Sequence, residues 1–411
     1  MALPGVKTII KDRFYSVSRS DSPVGPRVVV LAKRNTENGH ENVADLDVVP
    51  VTNEGDVVAA FGVDSHCHRA FVELVAGGAE RIHIVPLPSD TTWNNATGSV
   101  TSTSFGGSVF DAAFAAAESA LPDIIVPWGR GASPYEWGAT PSSPDFGFFA
   151  DNTSTAASSW VYKVASAVKS INENSHPCFA VMGVKPYTGT NNVMTPAQVA
   201  THLGLSNLPN RNSDETLGQL GRHVMVVATE IKPSVPSHSE SWGWSNGACA
   251  TAAAMSRMAS YVSTINKTVY SVSALRYNAT KTVLTALSEK GVNSITLNFN
   301  KAPIFSDGVT FANSSSDYIR LTTVRIVNEA TLLVRQACMK FIGQPSTIQI
   351  RNSMDTAIGS ALSGMIKLGA ILDSDFNIKY IANESKALVD LVLTPAFELR
   401  NIEVQIAVDL G

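Results

Sequence analysis

The C-terminal stretch carries the cleanest pattern in the chain. Ile402, Val404, Ile406, Val408 and Leu410 alternate with Glu403, Gln405, Ala407 and Asp409, the period-two signature of a strand with one apolar face. Such a strand needs an edge to pair with, in its own domain or in a neighbour. The other end is less regular. Within residues 1–22, Val6, Ile9, Ile10 and Phe14 supply β-forming side chains, while Lys7, Lys11, Asp12 and Arg13 interrupt the alternation. This stretch reads as an extended arm that does not bury a face alone.

Between the arms, apolar runs and amphipathic segments divide the chain. Ser22-Pro23-Val24-Gly25-Pro26 is a turn signal, and the run 27–32 then predicts a buried strand. Short helices over 57–61 and 65–76, the second stopped by Gly77-Gly78, lead to a strand at 81–86. These make a small α+β unit over 23–88. Residues 89–107 are rich in Ser, Thr, Asn and Gly and read as a linker.

From 108 to 275 helices and strands alternate. Helix 108–121 precedes strand 124–126, and helix 155–171 precedes strand 179–182. A short helix from Pro196 precedes strand 224–227, and helix 247–265 precedes a short strand near Val269. Apolar strands between amphipathic helices predict a parallel sheet covered on both faces. Residues 276–411 form a third region: a helix at 279–290, a hairpin-like stretch at 294–312, and a long helix from Ser316-Asp317 to Gly343. In that helix Ile319, Ile326, Ala330, Leu333 and Ala337 share a face. A helix at 353–368 and strands at 388–394 and 402–410 follow. The expected fold class is thus α/β and α+β, multidomain, with extended arms at both termini.

Composition narrows the function. Charged residues make up 16% of the 411, below the usual quarter, which fits surface given over to subunit contacts. The alternative, a surface merely rich in Ser, Thr and Asn, fits equally well. Net charge is −4 and no Lys/Arg block occurs, which disfavours nucleic acid as a partner. No run of 18 apolar residues predicts a membrane span, and residues 1–7 lack an apolar signal core. Synthesis in a cytoplasm is expected. Cys67, Cys178, Cys249 and Cys338 are far apart in apolar or small-residue stretches and read as reduced, small hydrophobes.

Candidate chemistry is sparse. No phosphate-binding GxxxxGK[ST] loop, dinucleotide fingerprint, HExxH or GxSxG elbow is present, so no cofactor is expected. Asp64-Ser65-His66-Cys67-His68 offers zinc-ligand types, but helical i, i+2 spacing points the two imidazoles about 200° apart. A Ser/His/Asp hydrolase would draw on His176, His202, His223 or His238, none of which sits in a local signature. The small-residue helix start at Ser241–Gly247 is read as close helix–sheet packing ahead of anion binding. No catalytic or metal residue is assigned.

Several separate pieces resemble the tail sheath proteins of contractile phage tails and related injection machines. Leu3-Pro4-Gly5-Val6 resembles that family's Pro-Gly-Val/Ile opening. Phe61-Gly62, Gly77-Gly78 and Arg81-Ile82-His83-Ile84-Val85 are similar to its next block, and Leu287 to Ile295 to its Gly-Ile-Asn turn. Tyr318-Ile319-Arg320-Leu321 with Arg325 resembles the opening of its long C-terminal helix, and Lys340 to Pro345 the close. The Gly-Ala-Ile element ending at Ile371, Val392-Leu393-Thr394-Pro395 and Leu399 to Val404 are similar to its last elements.

The resemblance implies a subtilisin-like α/β middle domain without a triad, an α+β C-terminal core, and a structural rather than enzymatic role. It implies a subunit stacking as hexameric rings around a tail tube protein, in a helical polymer bounded by baseplate and terminator proteins. The particle would be a virion tail assembled in the host cytoplasm. Terminal arms would donate strands to neighbouring copies, swinging on hinges near 19–26, 373–384 and 395–400. Lys340, Arg351 and Lys367 would face the tube. The alternatives are another baseplate or virion structural protein and, third, an α/β hydrolase.

Overall fold

The computed structural model describes residues 25–35, 43–94, 99–102, 107–128, 160–184, 219–235, 244–381, 383, 385–396, 398 and 400, with 92–94, 99–101 and 107 as backbone alone. Both terminal arms lie outside the described residues: Val6, Ile9, Ile10 and Phe14 at one end, Ile402, Val404, Ile406 and Val408 at the other. The hinge expected at 19–26 lies mostly outside them too, and the helix expected from Pro196 entirely so.

The chain opens with β1 (Arg27–Lys33), β2 (Val49–Val51), α1 (Glu54–Phe61), α2 (His66–Ala76) and β3 (Arg81–Leu87). Asn53 and Ser65 begin the two helices by accepting from the backbone N–H of Asp56 and His68. Short strands β4 (Thr92–Asn94), β5 (Ser99–Ser102) and β6 (Gly107–Ser108) follow. Then come α3 (Phe110–Ser119), β7 (Ile124–Pro127), α4 (Trp160–Asn174), β8 (Phe179–Gly183), β9 (Val224–Val227), β10 (Glu230–Pro233), β11 (Ser245–Asn246) and α5 (Ala248–Ser256). The third stretch holds β12 (Val272–Leu275), α6 (Lys281–Glu289), β13 (Val292–Asn293), β14 (Ile295–Leu297), β15 (Pro303–Phe305), α7 (Leu321–Met339), α8 (Ile348–Leu368), β16 (Ile371–Ile381) and β17 (Lys386–Pro395).

A seven-stranded sheet in the order β13-β9-β8-β7-β1-β3-β2 organises the body. All its pairings are parallel except that of β2 with β3. Alternating side chains feed two cores. Val29, Leu31, Ile125, Ala180 and Val226 face α3, α4 and α6, whereas Val28, Val30, Val126, Val181 and Met225 face α2 and α5. Each such aliphatic side chain contributes about 1.5–3 kcal/mol by leaving water. No described helix is long and apolar enough to cross a membrane.

This sheet joins stretches the sequence divides. Strands from residues 23–88, from 108–275 and from 276–411 lie side by side in it, so the expected boundaries do not separate hydrophobic cores. A buried parallel strand carries no mark of which distant strand will be its neighbour, which is why the pattern alone divides what the fold unites. Residues 89–107 are likewise more than a linker: β4, β5 and β6 pair there as an antiparallel sheet.

α7, α8 and the β16–β17 hairpin form a separate C-terminal unit with its own core of Ile326, Ala330, Cys338, Met354, Ile358, Leu362, Met365, Ile371 and Leu393. Two buried arginines dock α7 onto the body. Arg325 donates to the carbonyls of Met255 and Met258, where α5 ends, and to that of Val262 in the loop beyond. Arg335 donates to those of Asn172, Glu173 and Ser175, where α4 ends. The carbonyls left over at two helix C-termini, on opposite faces of the sheet, are thus satisfied by cations from one helix.

Candidate assembly surface

α8 buries Met354, Ile358, Leu362 and Met365, a stripe at four, four and three residues, against α7. Thr347 accepts from Ile350 N–H at 3.3 Å to begin it, and Gly369 ends it in the left-handed region at φ 72°. The chain then turns into β16, which pairs antiparallel with β17 from Asp373↔Thr394 to Ile381↔Lys386. Phe376 opposes Leu391 and Ile378 opposes Val389, and these side chains pack on the helices. The other face carries Asp375, Asn377, Lys379 and Asp390, with Lys379 Nζ 2.8 Å from Asp390 Oδ2.

Among the described residues β16 and β17 pair only with each other, so each presents an open edge. At about 3.4 Å per residue, a ten-residue edge offers about 34 Å of backbone donors and acceptors. Open edges of this length are templates for another strand. Around the unit, Met339, Ile342 and Ile348 are exposed near the α7–α8 turn, and Leu368 and Leu372 near the base of the hairpin. Contiguous exposed apolar patches are a common feature of contact surfaces.

The family resemblance implies a hinge at 373–384, and over its described part the structure corrects it: Ile371–Ile381 is a strand. The signal was present, since Phe376, Ile378 and Tyr380 alternate with Asp375, Asn377 and Lys379. Of the three basic residues expected to face a tube, Lys340 and Arg351 lie at the α7–α8 turn. Lys340 Nζ is 5.1 Å from the Phe341 ring; Arg351 Nε donates to Ser346 Oγ at 3.0 Å, and its guanidinium lies 4.4 Å from the Tyr380 ring. Lys367 is in the last turn of α8, about 24 Å further along at 1.5 Å per residue, so the three do not form one patch.

The residues weighed for chemistry have structural partners. His68 Nδ1 accepts from Asp64 N–H and its Nε2 lies 2.9 Å from Glu54 Oε1, while His66 meets Trp128 edge-to-face at 5.8 Å. No three His, Cys, Asp or Glu side chains converge among the described residues. His176 Nε2 lies 3.2 Å from Asp123 Oδ1. His223 Nδ1 lies 2.9 Å from Asn172 Nδ2, and burial pushes its pKa well below the ordinary value. Neither bonds a serine or cysteine among the described residues; His202 and His238 lie outside them. The four cysteines are free and buried. Burial raises every thiol pKa, that of Cys338 to about 11.

Strand order reverses at β1, where open α/β sheets hold ligands beyond the strand C-termini. At that end Trp128 is fully buried and donates its backbone N–H to Leu31 O. The helix start at Gly247 is a packing site: a Cβ there would lie 2.9 Å from Thr229 O.

No protein-family model matches the chain, and no curated protein does. Solved structures do. A chain of the anti-feeding prophage baseplate matches with TM-score 0.64 and 13% identity, over 100% of both chains. A chain of the anti-feeding prophage helical sheath in its contracted state gives 0.63 and 13%, again over 100% of both. The chain resembles the sheath proteins of contractile tails and injection systems. The sheath complex of an extracellular contractile injection system, also contracted, gives 0.60 and 12%, over 100% of this chain and 98% of that one. At these identities the likeness establishes the fold, a mixed α/β multidomain architecture shared end to end.

Proposed function

We propose that this chain is a structural subunit of a contractile sheath, and that it works by assembly rather than catalysis. The observation that carries the reading is the end-to-end likeness to a contracted sheath chain, covering all of both. In this reading copies stack as six-membered rings around a tube protein and shorten together to drive it forward. The free energy comes from contacts that are better in the compact array than in the extended one.

The open hairpin supports a specific linkage. A terminal strand patterned like 402–410 matches the ten-residue β17 edge in length, and strand addition needs little sequence complementarity beyond alternate side chains. A segment from one copy pairing with the hairpin of the next would tether subunits while they rotate. Lys340 and Arg351, at one end of the helical pair, remain the proposed contacts with an acidic tube. The particle would be a tail, assembled in the host cytoplasm.

Negative-stain microscopy of the purified full chain tests this. Open-ended hollow tubes are expected. The baseplate likeness favours a second reading, a ring or cap component, which predicts closed particles of fixed size. Dispersed single subunits at every concentration would count against both.

A further inference from the structure

Asp307 follows β15 and is 6% exposed at its side chain. Its Oδ1 accepts from Gly308 N–H at 2.7 Å and from Arg400 Nη2 at 2.5 Å, and Arg320 Nη1 lies 3.8 Å away. Ser288, on α6, donates its hydroxyl to Oδ2. The carboxylate is therefore fixed to the body by α6 and by its own loop. Its two cations come from different places along the chain. Arg320 immediately precedes α7, where the chain enters the C-terminal unit; Arg400 lies beyond β17, where the chain leaves it.

One nearly buried carboxylate thus holds the entry and the exit together. Nearby contacts fix the same stretch. Ala396 N–H donates to Ala370 O at 3.2 Å, and Thr322 donates its hydroxyl to Glu398 Oε1. After β17 the chain is held first at the hairpin base, then at the start of α7, then at Asp307.

We infer that Asp307 is a positioning residue that fastens the root of the C-terminal segment to the body. Ala396, Glu398 and Arg400 are then three held points at the root of that segment. The family resemblance implies a hinge at 395–400, and Ala396, Glu398 and Arg400 are instead fastened there. The consequence for assembly rests on the strand-donation reading; the anchor itself does not.

Arg400→Ala is a clean probe, because Arg320, Ser288 and Gly308 N–H still satisfy the carboxylate and no buried charge is left alone. Amide hydrogen exchange on the full chain is the readout, with Arg400→Lys as the conservative variant and the exposed Lys379→Ala as control. In Arg400→Ala, exchange at Ala396, whose N–H is bonded to Ala370 O, is expected to rise about tenfold or more, the scale of a lost charged hydrogen bond. Exchange in α6 and α7 should stay at the wild-type rate, and Arg400→Lys should fall between. Unchanged exchange at Ala396, or an equal rise throughout 321–395, would overturn the anchor.

Polymerisation gives the second readout. Arg400→Ala should need a higher protein concentration than wild type to form tubes. An equal threshold despite a loosened root would overturn the positioning role. If wild type forms no tubes, the sheath reading fails, and the exchange result still decides the anchor.

Discussion

The body and the C-terminal unit are built from the same residue types and differ in how far each closes over its own apolar side chains. In the body, helices cover both faces of a seven-stranded sheet, and side chains such as Val30, Leu31, Ile125 and Val181 are fully buried. In the C-terminal unit, two helices cover one face of a two-stranded hairpin. The other face carries Leu372, Leu388 and Val392, exposed by 57%, 39% and 40%, beside two open edges. A lone hairpin is marginal in water and persists by packing on something else. Among the described residues the body's sheet is covered on both faces, while the hairpin is covered on one.

Core truncation should separate the two most strongly. Leu31→Ala removes a side chain shared with β3, α3 and α4 and is expected to cost about 3–4 kcal/mol, lowering the main urea transition. Ile358→Ala should cost about 2–4 kcal/mol, yet raise amide exchange only in 321–395. A uniform rise across the chain would mean that the two regions unfold as one.

Cutting the dock comes next. Arg335→Ala leaves the carbonyls of Asn172 and Ser175 without their cation and should cost about 2 kcal/mol. Unfolding probed in α7 should then precede unfolding probed in β1. Coincident transitions in the variant would deny Arg335 a role in holding the regions together.

Between about pH 6.5 and 5 acid should act mainly on the body, because residues 321–411 contain no histidine. His83 and His223 lie in the body. Burial first, then the charges of Arg27 and Arg81, bring His83 down to about 4 from 6.5; burial, aided by Arg222 and Lys169, brings His223 well below 6.5. The unfolded chain therefore binds more protons between those values. Body stability should be full above about pH 6.5 and decline as pH falls toward 4, with His223 extending the loss. Urea midpoints at pH 7.5 and 5 check this, and His223→Gln should flatten the slope.

The smallest effect on stability should come from Ile348→Ser, 72% exposed in the first turn of α8: within about 0.5 kcal/mol for the monomer. If the surface is a contact, association should weaken nonetheless in light scattering.

The same comparison explains what was legible in the sequence. The body's helices and strands were readable one by one, because apolar runs such as 27–32 and 124–126 are long enough to declare themselves. Their assembly into one sheet was not, since parallel neighbours are chosen by packing between residues distant in sequence. In the C-terminal unit the alternation over 375–380 did mark a strand, and the hinge implied there by the family resemblance was the misleading signal. Arg325, Arg335 and Asp307 could not be assigned roles, because a charged residue's partner is fixed only when the fold brings a helix end or a second charge to it. The period-two pattern of 402–410 lies outside the described residues.

The most direct test compares the intact chain with one ending at Arg400 by negative-stain microscopy, after circular dichroism has shown both to be folded. The account predicts long tubes from the intact chain and dispersed single subunits from the shortened one. Tubes of equal length from both would contradict strand donation by residues 401–411.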